Sequence, residues 1–323
     1  MQSYALGAVL PGLLNVSGRG WWSMLVPPPR WSVDDIPDLS GKVIIVTGGN
    51  ANIGRETVKA LLVHNAKVYL GARNERKARA VIETLKSEIG HEAVFLKLDL
   101  ATLRSVKSAA DEFLSKENKL DVLVNNAASQ YPPVDQLTSE GHDLQFGTNV
   151  LGHFYFTQLL LLATAKASPD GKARVVHVAS VGHEFVNGVD LADTPKRRTL
   201  HPTTLYFQSK FGNVLVAKEF HRRYADQGLV SCSLHPGNLR FDTERHPSLI
   251  IRLMSNINPF LPGAQLGAFT QLWAATSPEG VDFGGKYLIP WARMGTAKKE
   301  TEDPELAKKL WDWLEEQIRK HQD

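Results

Sequence analysis

A β-branched run that leads straight into a glycine-rich turn is the feature that most constrains how this chain folds. Residues 43–46 read Val-Ile-Ile-Val, and Thr47, Gly48 and Gly49 follow without a break. The next glycine is Gly54, after which apolar residues recur at helical spacing. We therefore expect a buried strand, a tight turn and a helix in succession. The N–H groups of such a turn and of the helix N-terminus can bind phosphate.

The same alternation of strand and helix continues along the chain. Helical segments at 75–89, 103–115, 140–165 and 203–226 separate segments that are hydrophobic throughout. Such a pattern indicates a parallel sheet covered by helices on both faces. The sequence therefore predicts an α/β, Rossmann-type doubly wound sheet in a single domain. Further strands are expected within 66–72, 93–100, 120–127, 173–180, 229–237 and 284–290.

An apolar N-terminal extension precedes the predicted domain and covers residues 1–38. It is broken by polar residues, by Pro11 and by Arg19, and it lacks the basic leader of a secretory signal. We expect it either to be poorly ordered or to pack as a lid against the rest of the protein. Contact with a membrane surface through Trp21 and Trp22 is the alternative.

The domain itself is predicted to span residues 39–295. Within it, the segments 182–203 and 239–266 are expected to cover the cleft, the second as an apolar mobile lid. Residues 296–323 are expected to form a packing helix, because apolar residues recur there at helical spacing. These are Leu306, Leu310, Trp313 and Leu314.

Charge and cysteine content exclude several classes of function. The 37 basic and 34 acidic residues leave a formal charge of +3 without a basic stripe, so no nucleic-acid partner is expected. Cys232 is the only cysteine and lies in an apolar run, which fits a buried strand residue in a reducing compartment such as the cytoplasm. No stretch reaches the about 20 apolar residues of a membrane span. The histidines and cysteine lack metal-site spacing, so no metal is expected.

Polar residues stand at the ends of several predicted strands. Thr47, Asp99, Asn125, Asn126 and Ser180 each lie within a residue or two of a strand end. In a doubly wound sheet, ligands bind at the carboxyl ends of the strands near the topological switch point. These residues therefore mark the candidate site.

A tyrosine and a lysine four residues apart carry the clearest chemical signal. Tyr206 and Lys210 lie in a helical segment, so both side chains project from one face. A phenol has a pKa of about 10, and a nearby cation lowers it, so such a tyrosine can act as general acid in reduction and general base in oxidation. Ser180 could hydrogen-bond the oxygen of a substrate alcohol or carbonyl, and Asn149 could hold a proton-relaying water.

These motifs, in this order, resemble those of the short-chain dehydrogenase/reductase superfamily from about Gly41 to Trp291. Two further segments, "NVLGHF" and "SLHPGNLR", look like its retinol-dehydrogenase-like branch, and "GKYLIPWAR" is similar to fungal members. The motifs of the superfamily fall on Thr47 to Gly54, Asp99, Asn125 to Ala128, Asn149, Ser180, Tyr206 with Lys210, and Pro236 with Gly237.

The resemblance implies a catalytic set with separate roles. Tyr206 exchanges the proton with the substrate oxygen, Ser180 orients that oxygen, and Asn149 supports the proton relay. Lys210 binds the nicotinamide ribose and lowers the pKa of the tyrosine. The hydride passes to or from the nicotinamide, which carries the hard step.

The end of the second strand indicates which nicotinamide cofactor is used. An acidic residue there would favour NAD, but Gly71 and Ala72 stand in its place and Arg73 follows, so we expect NADP. Lys77 adds positive charge nearby. The expected cofactor-binding residues are Gly48, Asn52, Ile53, Gly54, Arg73, Lys77, Asp99, Asn126, Tyr206, Lys210 and Leu239.

Three residues depart from the pattern of the superfamily. Asn52 replaces the middle glycine, Ala128 replaces the glycine of the fourth-strand motif, and Phe241 stands where a threonine is common, with Thr243 as its substitute. Asparagine tolerates positive φ better than most residues. We therefore expect altered cofactor affinity before lost chemistry.

The predicted function is an NADP-dependent oxidoreductase. It would interconvert a lipophilic alcohol and its aldehyde or ketone, and the fungal resemblance suggests a role in secondary metabolism. The alternative is a catalytically idle NADP-binding redox sensor. The helices at 140–165 and 203–226 pair in homodimers of the superfamily, although their apolar residues could equally face the sheet.

Overall fold

The computed structural model describes residues 27–164, 172–191, 194–239 and 263–321. In this part of the chain the strands form a single eight-stranded sheet. They are β1 (Val43–Thr47), β2 (Lys67–Ala72), β3 (Val94–Lys97), β4 (Val122–Asn125), β5 (Ala173–Val178), β6 (Leu229–Leu234), β7 (Tyr287–Ile289) and β8 (Arg293–Gly295). Their spatial order is β3-β2-β1-β4-β5-β6-β7-β8.

Helices cover both faces of this sheet. In chain order they are α1 (Asn52–Val63), α2 (Glu75–Ile89), α3 (Leu103–Lys116), α4 (Leu144–Phe146), α5 (His153–Thr164), α6 (Thr194–Arg197), α7 (Pro202–Tyr224), α8 (Ala264–Thr276) and α9 (Pro304–Lys320). Apolar side chains of α1, α2 and α8 pack on one face, and those of α3, α5, α7 and α9 pack on the other. The predicted doubly wound fold is confirmed.

The position of β1 creates the crevice of the fold. Its five residues are all buried, and it pairs in parallel with β2 on one side and with β4 on the other. The chain winds outward from β1 to β3 and then returns to β4 on the opposite side. This reversal leaves an opening at the carboxyl ends of β1 and β4, where a ligand can reach the strand ends.

The sheet is mixed at one edge, which the sequence did not predict. β7 and β8 are antiparallel, with Tyr287 opposite Gly295. The connection between them is residues 290–292, far too short for the crossover that a parallel pair needs.

Helix α8 is a second difference from the sequence prediction. Its residues 267, 268 and 270–276 are buried, so its sequence lacks the contrast between an apolar and a polar face. Residues 264–266, expected to end the lid, are its first turn. Residues 240–262 of the expected lid, including Phe241 and Thr243, lie outside the described residues.

Helix α9 packs on the second face of the sheet through Trp311, which was not among the residues predicted to pack. Trp311 is 1% exposed, and its ring centroid lies 4.7 Å from that of Phe154 in α5 and 4.8 Å from that of Phe220 in α7. Trp313, which the sequence placed in the packing face, is only partly buried. The apolar residues of α5 and α7 therefore face the interior of this chain and α9.

Part of the predicted N-terminal extension packs on the domain. Trp31 contacts Phe269 of α8 edge to face at 5.9 Å, and Ile36 is buried. Residues 1–26, including Trp21 and Trp22, lie outside the described residues. None of the helices within the described ranges has the length and apolar character needed to cross a membrane.

We predict that Trp311→Ala destabilises the protein by about 3–5 kcal/mol, because it removes a fully buried ring and leaves a cavity between α5, α7 and α9. Urea unfolding measures this change. Lys309→Ala, at an exposed position of the same helix, is the matched control and should change the free energy of unfolding by less than about 0.5 kcal/mol. Equal effects of the two substitutions would contradict the packing described.

Candidate active site

A cavity of about 610 Å³ lies at the carboxyl ends of the parallel strands. It extends from the ends of β1 and β2, past the end of β4, to the segment that follows β5. Most residues predicted to act in catalysis or cofactor binding line it: Gly48, Asn52, Ile53, Arg73, Asp99, Asn126, Ser180, Tyr206, Lys210 and Leu239. The structure therefore brings these residues together in one site.

The glycine turn after β1 leaves no room for side chains. Gly48 has a φ of 67°, and a Cβ there would lie 2.9 Å from the Cα of Ala127. A Cβ on Gly54 would lie 2.3 Å from the carbonyl oxygen of Gly48. Asn52, in the place of the middle glycine, has a φ of 47°, a conformation that asparagine tolerates. The turn therefore keeps its shape despite the substitution.

The hydroxyl of Thr47 connects three parts of the site. Its Oγ1 accepts hydrogen bonds from the backbone N–H groups of Asn126 and Ala127, both at 2.9 Å. The same oxygen lies 2.8 Å from Nε2 of His153, whose Nδ1 lies 3.1 Å from the carbonyl oxygen of Asn149. Burial lowers the pKa of His153 to about 3, so the ring is neutral.

This geometry assigns the tautomer of His153. The carbonyl oxygen of Asn149 can only accept, so Nδ1 carries the hydrogen and Nε2 accepts the hydroxyl hydrogen of Thr47. A single chain of hydrogen bonds therefore runs from the end of β1 to the backbone at Asn149. The structure thereby gives His153 a positioning role.

Asn149 lies beside the cavity and not in its wall. It belongs to a π-helical segment, Gly147–Gly152, and is fully buried. Its Nδ2 donates to the carbonyl oxygen of Ser129 at 3.0 Å and to Oγ of Ser209 at 2.9 Å, while Oδ1 accepts from the N–H of Ser129 at 2.7 Å. Both amide hydrogens are thus in use, so the side chain ties the loop after β4 to α7.

Ser180 follows β5 and caps the 3₁₀ turn Val181–Phe185. Its Oγ accepts a hydrogen bond from the N–H of Gly182 at 3.1 Å, and its hydroxyl is hydrogen-bonded to the phenol of Tyr206. Its carbonyl oxygen lies 2.8 Å from Nδ1 of His183. The serine is therefore anchored through its backbone while its hydroxyl meets the tyrosine.

Tyr206 and Lys210 project from α7 into the far end of the cavity. Burial raises the pKa of Tyr206 and the neighbouring Tyr131 raises it further, whereas the hydrogen bond with Ser180 opposes the rise. Nζ of Lys210 lies 5.6 Å from the centroid of the Tyr206 ring. The direction is the reverse of that predicted from the sequence, because burial is the largest influence on this phenol.

Lys210 is itself almost completely buried, with 2% of its surface exposed. Its Nζ donates to the carbonyl oxygen of Val178 at 2.8 Å. Burial lowers the pKa of Lys210 to about 7. The ammonium and amine forms are therefore both populated near neutral pH.

The end of the cavity at β2 is basic. Arg73 follows β2, lines the cavity and is exposed. Within the described ranges, no carboxylate lies within ion-pair distance of its guanidinium, whereas Arg55 pairs with Glu56 and Glu88. Lys77 does not line the cavity: its backbone N–H is capped by the side chain of Asn74 in the first turn of α2.

These features fit a dinucleotide. The turn at Gly48 is narrow, and the N-terminus of α1 beside it offers backbone N–H groups, as phosphate-binding turns do. Asp99 lines the cavity while accepting a hydrogen bond from the N–H of Ala101 at 3.0 Å, so its carboxylate is held in place. Lys210 supplies a cation at the opposite end.

Tyr131 is a cavity residue that the sequence did not indicate. It follows the Asn125-to-Ala128 motif by three residues, and its ring centroid lies 5.1 Å from that of Tyr206. No local signal predicts this, because tyrosine rarely adopts the positive φ of 53° seen here.

Comparison with known proteins yields a consistent set of relatives. The sequence profile of the family described as short chain dehydrogenase matches residues 42–247. A short-chain dehydrogenase/reductase of Armillaria gallica is 54% identical over 309 residues, which are 94% of this chain and 99% of the relative. A second, of Phomopsis amygdali, is 35% identical over 330 residues, 95% of this chain and 98% of the relative.

Solved structures share the fold. An uncharacterised protein from Mycobacterium paratuberculosis has a TM-score of 0.70 and 29% identity, and the match covers 90% of this chain and 97% of that one. A short chain dehydrogenase from Escherichia coli CFT073 complexed with NADPH has a TM-score of 0.61 and 22% identity, with 78% and 97% covered. The latter likeness shows the fold alone.

We predict that the buried Lys210 makes stability depend on pH. Its pKa falls from 10.5 to about 7 on folding, so between these values the unfolded chain binds more protons and the free energy of unfolding rises with pH. Compared with Lys210→Met, the ligand-free wild-type protein should therefore gain stability by on the order of 1 kcal/mol per pH unit above about pH 7. Chemical unfolding of both proteins across this range measures it.

Lys309→Met, at an exposed position, controls for the loss of one positive charge. A difference between wild type and Lys210→Met that stays constant from pH 7 to 10 would show that the lysine is not held in the amine-favouring environment described.

Proposed function

The chain belongs to the short chain dehydrogenase family, whose members are oxidoreductases that use nicotinamide cofactors, and on this premise we propose that it is an NADP-dependent oxidoreductase. Its substrates are a lipophilic alcohol and the corresponding aldehyde or ketone. One observation carries the proposal: Ser180, Tyr206 and Lys210 line the same cavity as the glycine turn and Arg73.

Tyr206 is the residue that exchanges a proton with the substrate oxygen. The raised pKa keeps its phenol protonated at neutral pH, so in this state it is a proton donor suited to carbonyl reduction. Ser180, hydrogen-bonded to the phenol, is placed to donate to the same substrate oxygen. When bound, NADPH supplies the hydride that adds to the carbonyl carbon.

Lys210 responds to the charge that Tyr206 acquires. After the proton leaves Tyr206, the phenolate would be a buried anion, and the ammonium form of Lys210 would offset it. With a pKa of about 7, the lysine can take up a proton for this purpose. It would also bind the ribose hydroxyls, as the resemblance implies, while Asn149 and His153 hold the surrounding backbone.

The other end of the cavity favours NADP over NAD. The backbone N–H groups of Asn52 and Ile53 would hold the pyrophosphate at the N-terminus of α1, whereas the N–H of Gly48 donates to the carbonyl oxygen of Gly71 at 2.7 Å. Arg73 lies beside the cavity without an ion-pair partner among the described residues, and Gly71 and Ala72 offer no carboxylate for a ribose 2′-hydroxyl. A 2′-phosphate would form charge-assisted hydrogen bonds with Arg73.

A lipophilic substrate fits the described walls of the cavity, which include Leu144, Phe185 and Phe207.

We also propose a role in secondary metabolism and a cytoplasmic location for this protein. The relatives from Armillaria and Phomopsis are fungal. The closeness to the retinol-dehydrogenase-like branch stays a prediction. A homodimer would have to form over faces that α9 does not already cover.

We predict that Tyr206→Phe lowers the turnover rate at least about 100-fold, because the proton donor is lost. The affinity for NADPH should stay within about threefold of the wild-type value, because nothing else is removed. NADPH absorbance followed with a panel of aldehydes measures turnover, and fluorescence titration measures binding. A variant that keeps wild-type turnover would rule out the role assigned to Tyr206. Absence of turnover by the wild-type protein with every member of the panel, with NADPH binding retained, would favour the idle sensor as the alternative function.

We predict that Arg73→Ala raises the KM for NADPH by about tenfold or more and leaves the KM for NADH within about twofold, since a charged hydrogen bond contributes about 1.5–3 kcal/mol. Steady-state kinetics with each cofactor measure both values. Arg79→Ala is the matched control, because Arg79 pairs with Glu75 and lies over the Phe95 ring. A wild-type preference for NADH would overturn the assignment of Arg73.

A further inference from the structure

Four aromatic rings succeed one another along the wall of the cavity around the proposed proton donor. The Tyr131 and Tyr206 ring centroids are 5.1 Å apart, those of Tyr206 and Phe207 are 6.3 Å apart, and those of Phe207 and Phe185 are 5.0 Å apart. All four residues line the cavity. We call them the aromatic row.

Tyr131 is held in the row by its backbone. Its N–H donates to Oε1 of Gln145 at 2.9 Å, and Nε2 of the same glutamine donates to the carbonyl oxygen of Pro202 at 2.9 Å. Gln145 is 1% exposed, so this bridge is shielded from water. It ties the loop that carries Tyr131 to the start of α7, the helix that carries Tyr206.

The conformation of Tyr131 is itself costly. A φ of 53° is strained for a bulky side chain, and such strain persists where the surrounding structure enforces it, often at functional sites. Here the buried hydrogen bonds of Gln145 hold the backbone of Tyr131 in this conformation. The ring is thereby placed against Tyr206.

The other end of the row is fixed by a glycine. A Cβ on Gly182 would lie 2.5 Å from Cδ1 of Phe207, so the ring packs directly on the turn that begins at Ser180. Phe185, in the same turn, stacks on Phe207 with an interplanar angle of 27°. The two ends of the row therefore flank Ser180 and Tyr206 with rings whose positions are set independently.

We propose that Tyr131 is a specificity-determining residue, and that with the rest of the aromatic row it selects planar, unsaturated carbonyl compounds over saturated ones of the same size. The substrate assignment rests on the proposed function, whereas the preference in binding does not. Aromatic rings stack on planar π systems in offset or edge-to-face arrangements, which a puckered saturated ring cannot reproduce. The Tyr131 ring lies beside that of Tyr206 and lines the cavity, so the ring and not the hydroxyl is the part that would select.

The test compares the binding of two amides that cannot be reduced. Benzamide and cyclohexanecarboxamide have the same number of carbon atoms, but only the first has a planar ring. Their dissociation constants are measured by calorimetry on the NADPH-saturated protein. Wild type should bind benzamide about fivefold more tightly, the size of one aromatic pair.

Two substitutions at Tyr131 separate the ring from the hydroxyl. Tyr131→Leu should bring the ratio of the two dissociation constants close to one, and Tyr131→Phe should keep the wild-type ratio. Thermal melting and NADPH titration establish that each variant is folded. A wild-type ratio near one, or a ratio that Tyr131→Leu leaves unchanged, would overturn the inference.

Turnover of the two corresponding aldehydes shows whether a failure lies with this inference or with the proposed function. If benzaldehyde is reduced in preference to cyclohexanecarbaldehyde and Tyr131→Leu removes that preference, both hold. Reduction without preference, together with an amide ratio near one, would overturn the inference alone. A fivefold amide ratio with neither aldehyde reduced would support the role of Tyr131 in binding and count against the proposed function.

Discussion

The hydroxyl of Thr47 is the point on which the geometry of the site depends. It accepts two backbone hydrogen bonds from the end of β4 and donates to His153, which in turn holds the carbonyl oxygen of Asn149. Because these groups are buried, each would be costly to leave unpaired. The glycine turn, the loop after β4 and the π-helical segment are therefore positioned together, and the cavity between them has a defined shape before any ligand arrives.

The proton-transfer end of the site depends on burial. Lys210 is kept from water with one hydrogen bond, to the carbonyl oxygen of Val178, and its pKa of about 7 shows how little the surroundings favour the cation. Such an arrangement lowers stability and is typical of functional sites. In the proposed reaction, Tyr206 would stay protonated until a negative charge develops on the substrate oxygen, and Lys210 would then take up a proton.

Much of this was predictable from the sequence, because the strands are continuous apolar runs and the site residues follow them directly. The doubly wound sheet, the glycine turn and the pairing of Tyr206 with Lys210 in one site follow from local patterns. Other features depend on long-range contacts and could not be predicted from local patterns. Helix α8 is buried nearly all round, and in α9 the Trp311 side chain is buried while that of Trp313 stays partly exposed. The positive φ of Tyr131 depends on Gln145, and the link from Thr47 to His153 joins residues 106 positions apart.

In the reaction we propose, a hydride passes from NADPH to a carbonyl carbon while Tyr206 supplies the proton. A single-turnover reaction with NADPH carrying deuterium on the transferred position, followed by mass spectrometry of the alcohol, tests it most directly. We expect one deuterium on the carbinol carbon of the product with the wild-type protein, and no labelled alcohol with Tyr206→Phe. An alcohol formed without deuterium, or labelled alcohol formed equally well by the variant, would contradict the account.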